Sequence, residues 1–197
     1  MANQATTTYR ICKAETGTEN NNAVRDLWNT LQSMNVNTKN IWLDDLAKYF
    51  GIDYDAKGIS VRGHIYWAEY DEEEDLLSLE TESAWDRSEL IEEINHVLGD
   101  VLSVSFRVCE CGCEVYYVHD EGDFFTEECV VCSDGTPFDE AFDDPFDTVK
   151  DAINEWCEKM NIKQGERTDE EMVDFINEYD KYDDDCTYFY IHTFTYE

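Results

Sequence analysis

Five cysteines hold the spacing in this chain that could do metal chemistry: Cys109, Cys111 and Cys113, then Cys129 and Cys132. A structural zinc takes four nitrogen or sulfur ligands in a tetrahedron at about 2.0–2.3 Å, commonly from C-x-x-C pairs. Cys129-Val130-Val131-Cys132 has that pattern, and C-x-C-x-C in a strand would aim three thiols at one face. A hairpin turning near Gly122 would join the two halves, with His119 as a spare ligand. The alternative is that these cysteines pack as small hydrophobes on the buried face of two strands. That alternative is preferred, so no cofactor is expected, and zinc in the cysteine hairpin is the competing outcome.

Other chemistry finds no foothold. The chain has no G-x-S-x-G, no phosphate-binding glycine loop and no H-E-x-x-H. Its four histidines, His64, His96, His119 and His192, are scattered along the chain. The run Asp180 to Asp185 is as acidic as a calcium loop but lacks the central Gly and terminal Glu, so it reads as a solvated link. No enzymatic activity is expected.

What remains is charge. Asp and Glu number 47 against 14 Lys and Arg in 197 residues, a formal net charge of -33. Residues 1–50 carry 5 acids and 5 bases, so the surplus lies entirely in the last three quarters. Direct nucleic-acid binding needs clustered Lys and Arg, and none cluster here. An anionic membrane surface is excluded on the same ground, and no apolar run approaches the roughly 20 residues that span a bilayer. Met1-Ala2-Asn3-Gln4 opens without the basic-then-apolar pattern of a secretory signal, so a cytoplasmic location is expected. Acidity does not mean disorder here, because 42% hydrophobic and 14% aromatic residues supply a core.

A solubilising surface needs a net magnitude of only about 2–8 in a small domain. The several-fold excess favours a surface that faces a cationic partner, with plain solubilisation by a charged face as the alternative. Duplex DNA presents one charge per roughly 1.7 Å of axis, and a folded surface of closely set carboxylates approximates that field. The candidate contact residues are Asp71, Glu72, Glu73, Glu74 and Asp75; Glu89, Glu92 and Glu93; Asp143 and Asp144; and Asp183, Asp184 and Asp185. Glu89 with Glu92 and Glu93 forms a like-charge ridge on a helix face, which is locally unfavourable. Trp28 and Trp42, in the near-neutral first quarter, would add apolar specificity if exposed, although their helical spacing favours the core.

The elements that must position these groups follow from periodicity. Thr7 to Ala14 reads as a strand, and Val24, Leu27, Trp28 and Leu31 mark an amphipathic helix. A short helix covers Ile41 to Gly51. Ile59 to Tyr70 and Leu76 to Glu82 are strands joined by the acidic loop 71–75. Asp86 caps a helix to Asp100 with Leu90, Ile91, Ile94, Val97 and Leu98 inward, and Val101 to Val108 is the next strand. A hairpin around Asp120 to Asp123, an acidic link, two helices and an aromatic strand from Thr187 to Tyr196 complete the chain. This order is α+β, with a ferredoxin-like split βαβ antiparallel sheet extended by the cysteine hairpin, two C-terminal helices and a terminal strand. The expected division is a core domain over 1–133 and a helical extension over 134–197 packed on the same core.

Three short motifs carry a family resemblance: Val61-Arg62-Gly63, Leu79-Glu80-Thr81-Glu82-Ser83-Ala84-Trp85, and Glu110-Cys111-Gly112-Cys113 with Tyr116-Tyr117 and His119-Asp120. Over about residues 59–132 the chain resembles ferredoxin-like-domain proteins of the Api type from phages and plasmids. The resemblance implies a mobile-element gene expressed in a bacterial cytoplasm and supplies no catalytic residues. Charge and context together give an expected function. The chain would mimic nucleic acid and inhibit a bacterial defence complex, a CRISPR effector or a restriction enzyme, by occupying its nucleic-acid groove. The partner would be a cationic nucleic-acid-binding protein of the host. A non-enzymatic interaction or regulatory module is the alternative.

Overall fold

Alternating burial along Ala5–Lys13 makes the first strand, β1, with Tyr9 and Ile11 fully buried on one face. The chain is described here by a computed structural model covering residues 4–15, 22–85, 89–182 and 186–197. It divides into two compact units, Met1–Phe124 with Tyr196–Glu197, and Phe125–Thr195. The break falls at 124/125, not at 133/134 as expected. The second unit also has its own hydrophobic core rather than extending the first.

The first unit continues with α1 (Ala23–Ser33), β2 (Ile41–Trp42), α2 (Leu43–Tyr49), α3 (Tyr54–Lys57), β3 (Gly63–Asp71) and β4 (Leu76–Ser83). It then runs through α4 (Leu90–Leu98), β5 (Leu102–Glu110), a single 3-10 turn at Cys111–Cys113, and β6 (Val115–His119). The strand order is β10-β6-β5-β1-β4-β3-β2, where β10 is the two-residue Thr195–Tyr196, with β1 antiparallel to both β4 and β5 and β3 antiparallel to β4. The central run β5-β1-β4-β3 is the split βαβ arrangement expected from the element order. The molecule is α+β. One face of the sheet (Tyr9, Ile11, Ile65, Leu77, Leu79, Val104, Phe106, Val108) buries the apolar stripes of the helices. The other face carries Arg10, Cys12, His64, Ser78, Glu80 and Glu82. At the end of the chain, Glu197 N–H donates to the Val118 carbonyl at 3.0 Å, closing Tyr196–Glu197 onto this unit.

Several local expectations are corrected. β3 starts at Gly63, four residues after Ile59, and Ile41–Trp42 pairs with β3 instead of opening α2. Val97 is 49% exposed while Leu90, Ile91 and Ile94 are buried, because α4 ends one residue later at Leu98 and Gly99, which takes φ 94. Asp86, expected as its cap, lies outside the described residues.

The second unit is a three-stranded antiparallel sheet ordered β8-β7-β9, built from β7 (Cys129–Asp134), β8 (Ala141–Phe146) and β9 (Tyr188–Thr193). Helices α5 (Val149–Met160) and α6 (Asp169–Asn177) supply the rest of its core around Trp156, Ile153, Met172, Ile176 and Phe189. Thr168 and Glu171 form the reciprocal capping box that starts α6. The strand β8 replaces the expected acidic link; Pro145 and the left-handed Asp143 (φ 54) are tolerated because it is an edge strand. The aromatic C-terminal segment is divided as well, into β9 and the two-residue β10 (Thr195–Tyr196).

One device recurs at three strands. A side-chain amide docks on a single residue's backbone, donating to its carbonyl and accepting from its N–H. Asn37 does this to Ala68, Asn95 to Leu102 and Asn177 to Ile191. Each satisfies backbone groups that no neighbouring strand pairs, which a buried peptide otherwise loses at considerable cost.

Candidate functional site

The registers decide which acidic segments meet. Ile11 lies opposite both Leu77 and Val104, Lys13 opposite Leu102, and His119 opposite Phe106. The end of β1, the start of β4, the start of β5 and the end of β6 therefore share one end of the first unit's sheet. Four connections converge there and bring Glu15, Asp71, Glu72, Glu73, Glu74, Asp75, Asp100, Asp120, Glu121 and Asp123 onto one rim. From β6 to β3 is four inter-strand spacings, about 19 Å at roughly 4.8 Å each. Duplex DNA at one charge per roughly 1.7 Å presents about eleven charges over that length, against ten carboxylates here.

The rim is ordered by its own hydrogen bonds. Asp71 Oδ1 accepts from the Glu73 and Glu74 backbone N–H groups at 2.8 and 3.1 Å, fixing the turn. The Tyr70 hydroxyl donates to Asp75 Oδ1 at 2.6 Å and accepts from Arg25 Nε at 3.4 Å, while Trp28 stacks on the Tyr70 ring at 6.2 Å. The Ser103 hydroxyl donates to Glu121 Oε2 at 2.6 Å, and Glu121 N–H donates to Ser105 Oγ at 2.9 Å. Burial pushes the Cys12 thiol up, and Glu121 and Asp75 add to that against the lowering contact of Ser103, which places both carboxylates in its field. The rim's cations are Lys13 and Arg25, and Arg25 is held at Tyr70 facing Glu72 and Asp75.

The other candidate acids do not sit on the rim itself. Glu89 and Glu93 stand toward the N-terminal end of α4, roughly 10–16 Å from Asp100 at 1.5 Å per residue, whereas Glu92 shares a groove with the rim's Glu121. Glu93 is neutralised by Lys57 at 2.9 Å, and Glu92 is half-buried in a groove of about 260 Å³ with Asn95, Phe106, His119 and Glu121. This ridge is thus not a bare row of charge. Asp143 and Asp144 sit on β8 in the second unit, Asp144 exposed and Asp143 half-buried with its Oδ1 3.4 Å from Cys132 Sγ. Asp183, Asp184 and Asp185 lie outside the described residues. The list missed Asp100, Asp120, Glu121 and Asp123 as partners of the 71–75 loop; only the strand order could have joined them.

The cysteines do not form the expected hairpin. Cys109 ends a buried strand, and Cys111 to Cys113 make the 3-10 turn between β5 and β6, so the three thiols do not line one strand face. The segment 120–123 leads out of the unit instead of turning β6 back on a partner. Cys129 and Cys132 lie three apart in the central strand β7, which sends their side chains to opposite faces. Cys129 joins the core with Val131, while Cys132 faces Asp143, so this C-x-x-C is not a chelating knuckle.

At the far end of the first sheet from the acidic rim lies a cleft of about 430 Å³, lined by Gln4, Trp42, Val61 to His64 and Glu82 to Ala84. Trp42 is 55% exposed, against the core position favoured for it, because it ends β2 and leaves its indole on the surface. Its ring meets His64 edge-on at 5.3 Å, and His64 Nε2 is 3.3 Å from Glu82 Oε2. Beside them the Tyr66 hydroxyl donates to Glu80 Oε2 at 2.7 Å; burial, then that carboxylate, push the phenol well above its usual range. No helix among the described residues is long and apolar enough to cross a membrane. Compared with family models, with curated proteins and with solved structures, the chain has no match.

Proposed function

We propose that this chain is a non-enzymatic, acidic protein of a phage or mobile element. In this reading it mimics nucleic acid and inhibits a bacterial defence complex, a CRISPR effector or restriction enzyme, by occupying its nucleic-acid groove. The observation that carries the reading is the set of ten carboxylates that the strand order gathers at one sheet end, about as many charges as duplex DNA presents over the same length. The first unit holds 26 acids and 9 bases, net -17, and the second 21 acids and 5 bases, net -16. Such fields speed encounter with a cationic groove and are weakened by salt. The Api-type resemblance over about residues 59–132 supports the mobile-element context. The test is competition: purified protein displaces duplex DNA or guide RNA from its target at low salt. A chain in which Glu72, Glu73 and Glu74 are all changed to Lys does so far more weakly. Undiminished displacement by that variant removes the rim as the contact.

A further inference from the structure

We propose that the cleft beside Trp42 is a second binding site, which takes an arginine side chain of the partner. The proposal deepens the reading of a cationic partner and rests on it. The acidic rim acts over a distance, whereas this cleft offers a shaped seat for a single group.

Its chemistry selects the ligand. An exposed indole face either stacks on a nucleobase or holds a cation, and tryptophan is the best side chain for the second role. A nucleotide would carry its phosphate into a unit of net charge -17 and against Glu80 and Glu82. A cation meets the opposite field. Among the described residues no Lys or Arg forms an ion pair with Glu80 or Glu82; their recorded partners are the Tyr66 hydroxyl and the His64 ring. Among the described residues Arg62, which is exposed, is the one Lys or Arg lining the cleft and Glu82 meets it one for one; Glu80, two residues back along β4, adds a second carboxylate outside the lining. Arginine fits better than lysine because its planar guanidinium lies flat on an indole while its fork of N–H groups reaches a carboxylate. The seat is preformed. Trp42 is fixed by the β2–β3 pairing (Trp42 opposite His64) and Glu82 by the β3–β4 pairing (also opposite His64). A volume of about 430 Å³ accommodates one such side chain.

The test uses the whole protein and a defined probe. N-acetyl-arginine amide is titrated into labelled protein while the backbone amide signals of Gly63 and Ala84 are followed by NMR, with N-acetyl-citrulline amide as the uncharged isostere. The expected result is a saturating shift at those amides with the arginine probe and none with citrulline. Affinity falls roughly two- to thirty-fold in Trp42→Ala, the range that a cation over an indole is worth. It also falls in the isosteric Glu82→Gln, and unaltered spectra away from the cleft show that both variants are folded. No saturating shift, equal shifts with citrulline, or unchanged affinity in Trp42→Ala overturns the proposal. That failure leaves the rim untouched, since the rim is read by salt-dependent displacement of DNA. Loss of displacement with arginine binding retained would sink the rim alone.

Discussion

Replacing Asn177 by Ala tests whether amide docking holds β9 in place. In the native unit Asn177 Oδ1 accepts from Ile191 N–H at 2.8 Å and its Nδ2 donates to the Ile191 carbonyl at 2.9 Å. Ile191 is 1% exposed, and β9 is an edge strand whose only strand neighbour among the described residues is β7. Truncation orphans one donor and one acceptor, each costing about 1–3 kcal/mol when buried. The low end applies to both, because water reaches an edge strand once the amide is gone, and the total is about 2 kcal/mol. Stabilities of roughly 0.05–0.15 kcal/mol per residue make that a large fraction for a unit this size. The assay is native-state hydrogen exchange at the Ile191 amide, which should quicken about thirty-fold at 1.4 kcal/mol per decade. Asn154→Ala, an exposed change on α5, is the control and should leave that amide within about 0.5 kcal/mol of wild type. Equal exchange in the two variants would refute the reasoning.

Gly63→Ala should destabilise the first unit by about 2 kcal/mol, because a Cβ there runs into the Glu82 carbonyl oxygen and meets Ser83 Cα at 2.9 Å, both backbone; an unchanged thermal midpoint would contradict it. Burial, with Glu128 and Asp151 adding, pushes the Cys129 thiol up from 9.0 to about 12. The proton is therefore held more tightly in the folded chain: this stabilisation is complete below pH 9 and is lost as pH rises from 9 towards 12. Urea midpoints across that window should fall less steeply in Cys129→Ala than in wild type, and parallel curves would show that the thiol plays no part.

Periodicity made the first unit legible. The stripes of α1 and α4 and the alternation of β1 and β4 each face one core, and the loop Asp71 to Asp75 turns where its charges interrupt two strand patterns. The second unit was harder, because its sheet includes β8, whose Asp143-Asp144-Pro145 has no strand signature, and because an edge strand needs none. The preference for packed cysteines over a chelating knuckle rests on the strand reading of the segment, and β7 does hold Cys129 and Cys132 buried in a strand and not in a turn. Loop 71–75 was visible as a charged segment, but the rim was not. Asp100, Asp120 and Glu121 join it through a strand order that no local pattern encodes. Trp42 was misplaced because the two-residue β2 is too short to leave a period.

The central claim is that surplus carboxylate on one sheet end stands in for phosphate. It is tested most directly by capturing the partner from bacterial lysate on the purified chain, then measuring displacement of labelled duplex DNA from that partner across a salt series. The account expects potent displacement at low salt, a steep fall as salt rises, and a marked loss when Glu72, Glu73 and Glu74 are reversed to Lys. Displacement that barely changes with salt and survives the reversal would contradict it.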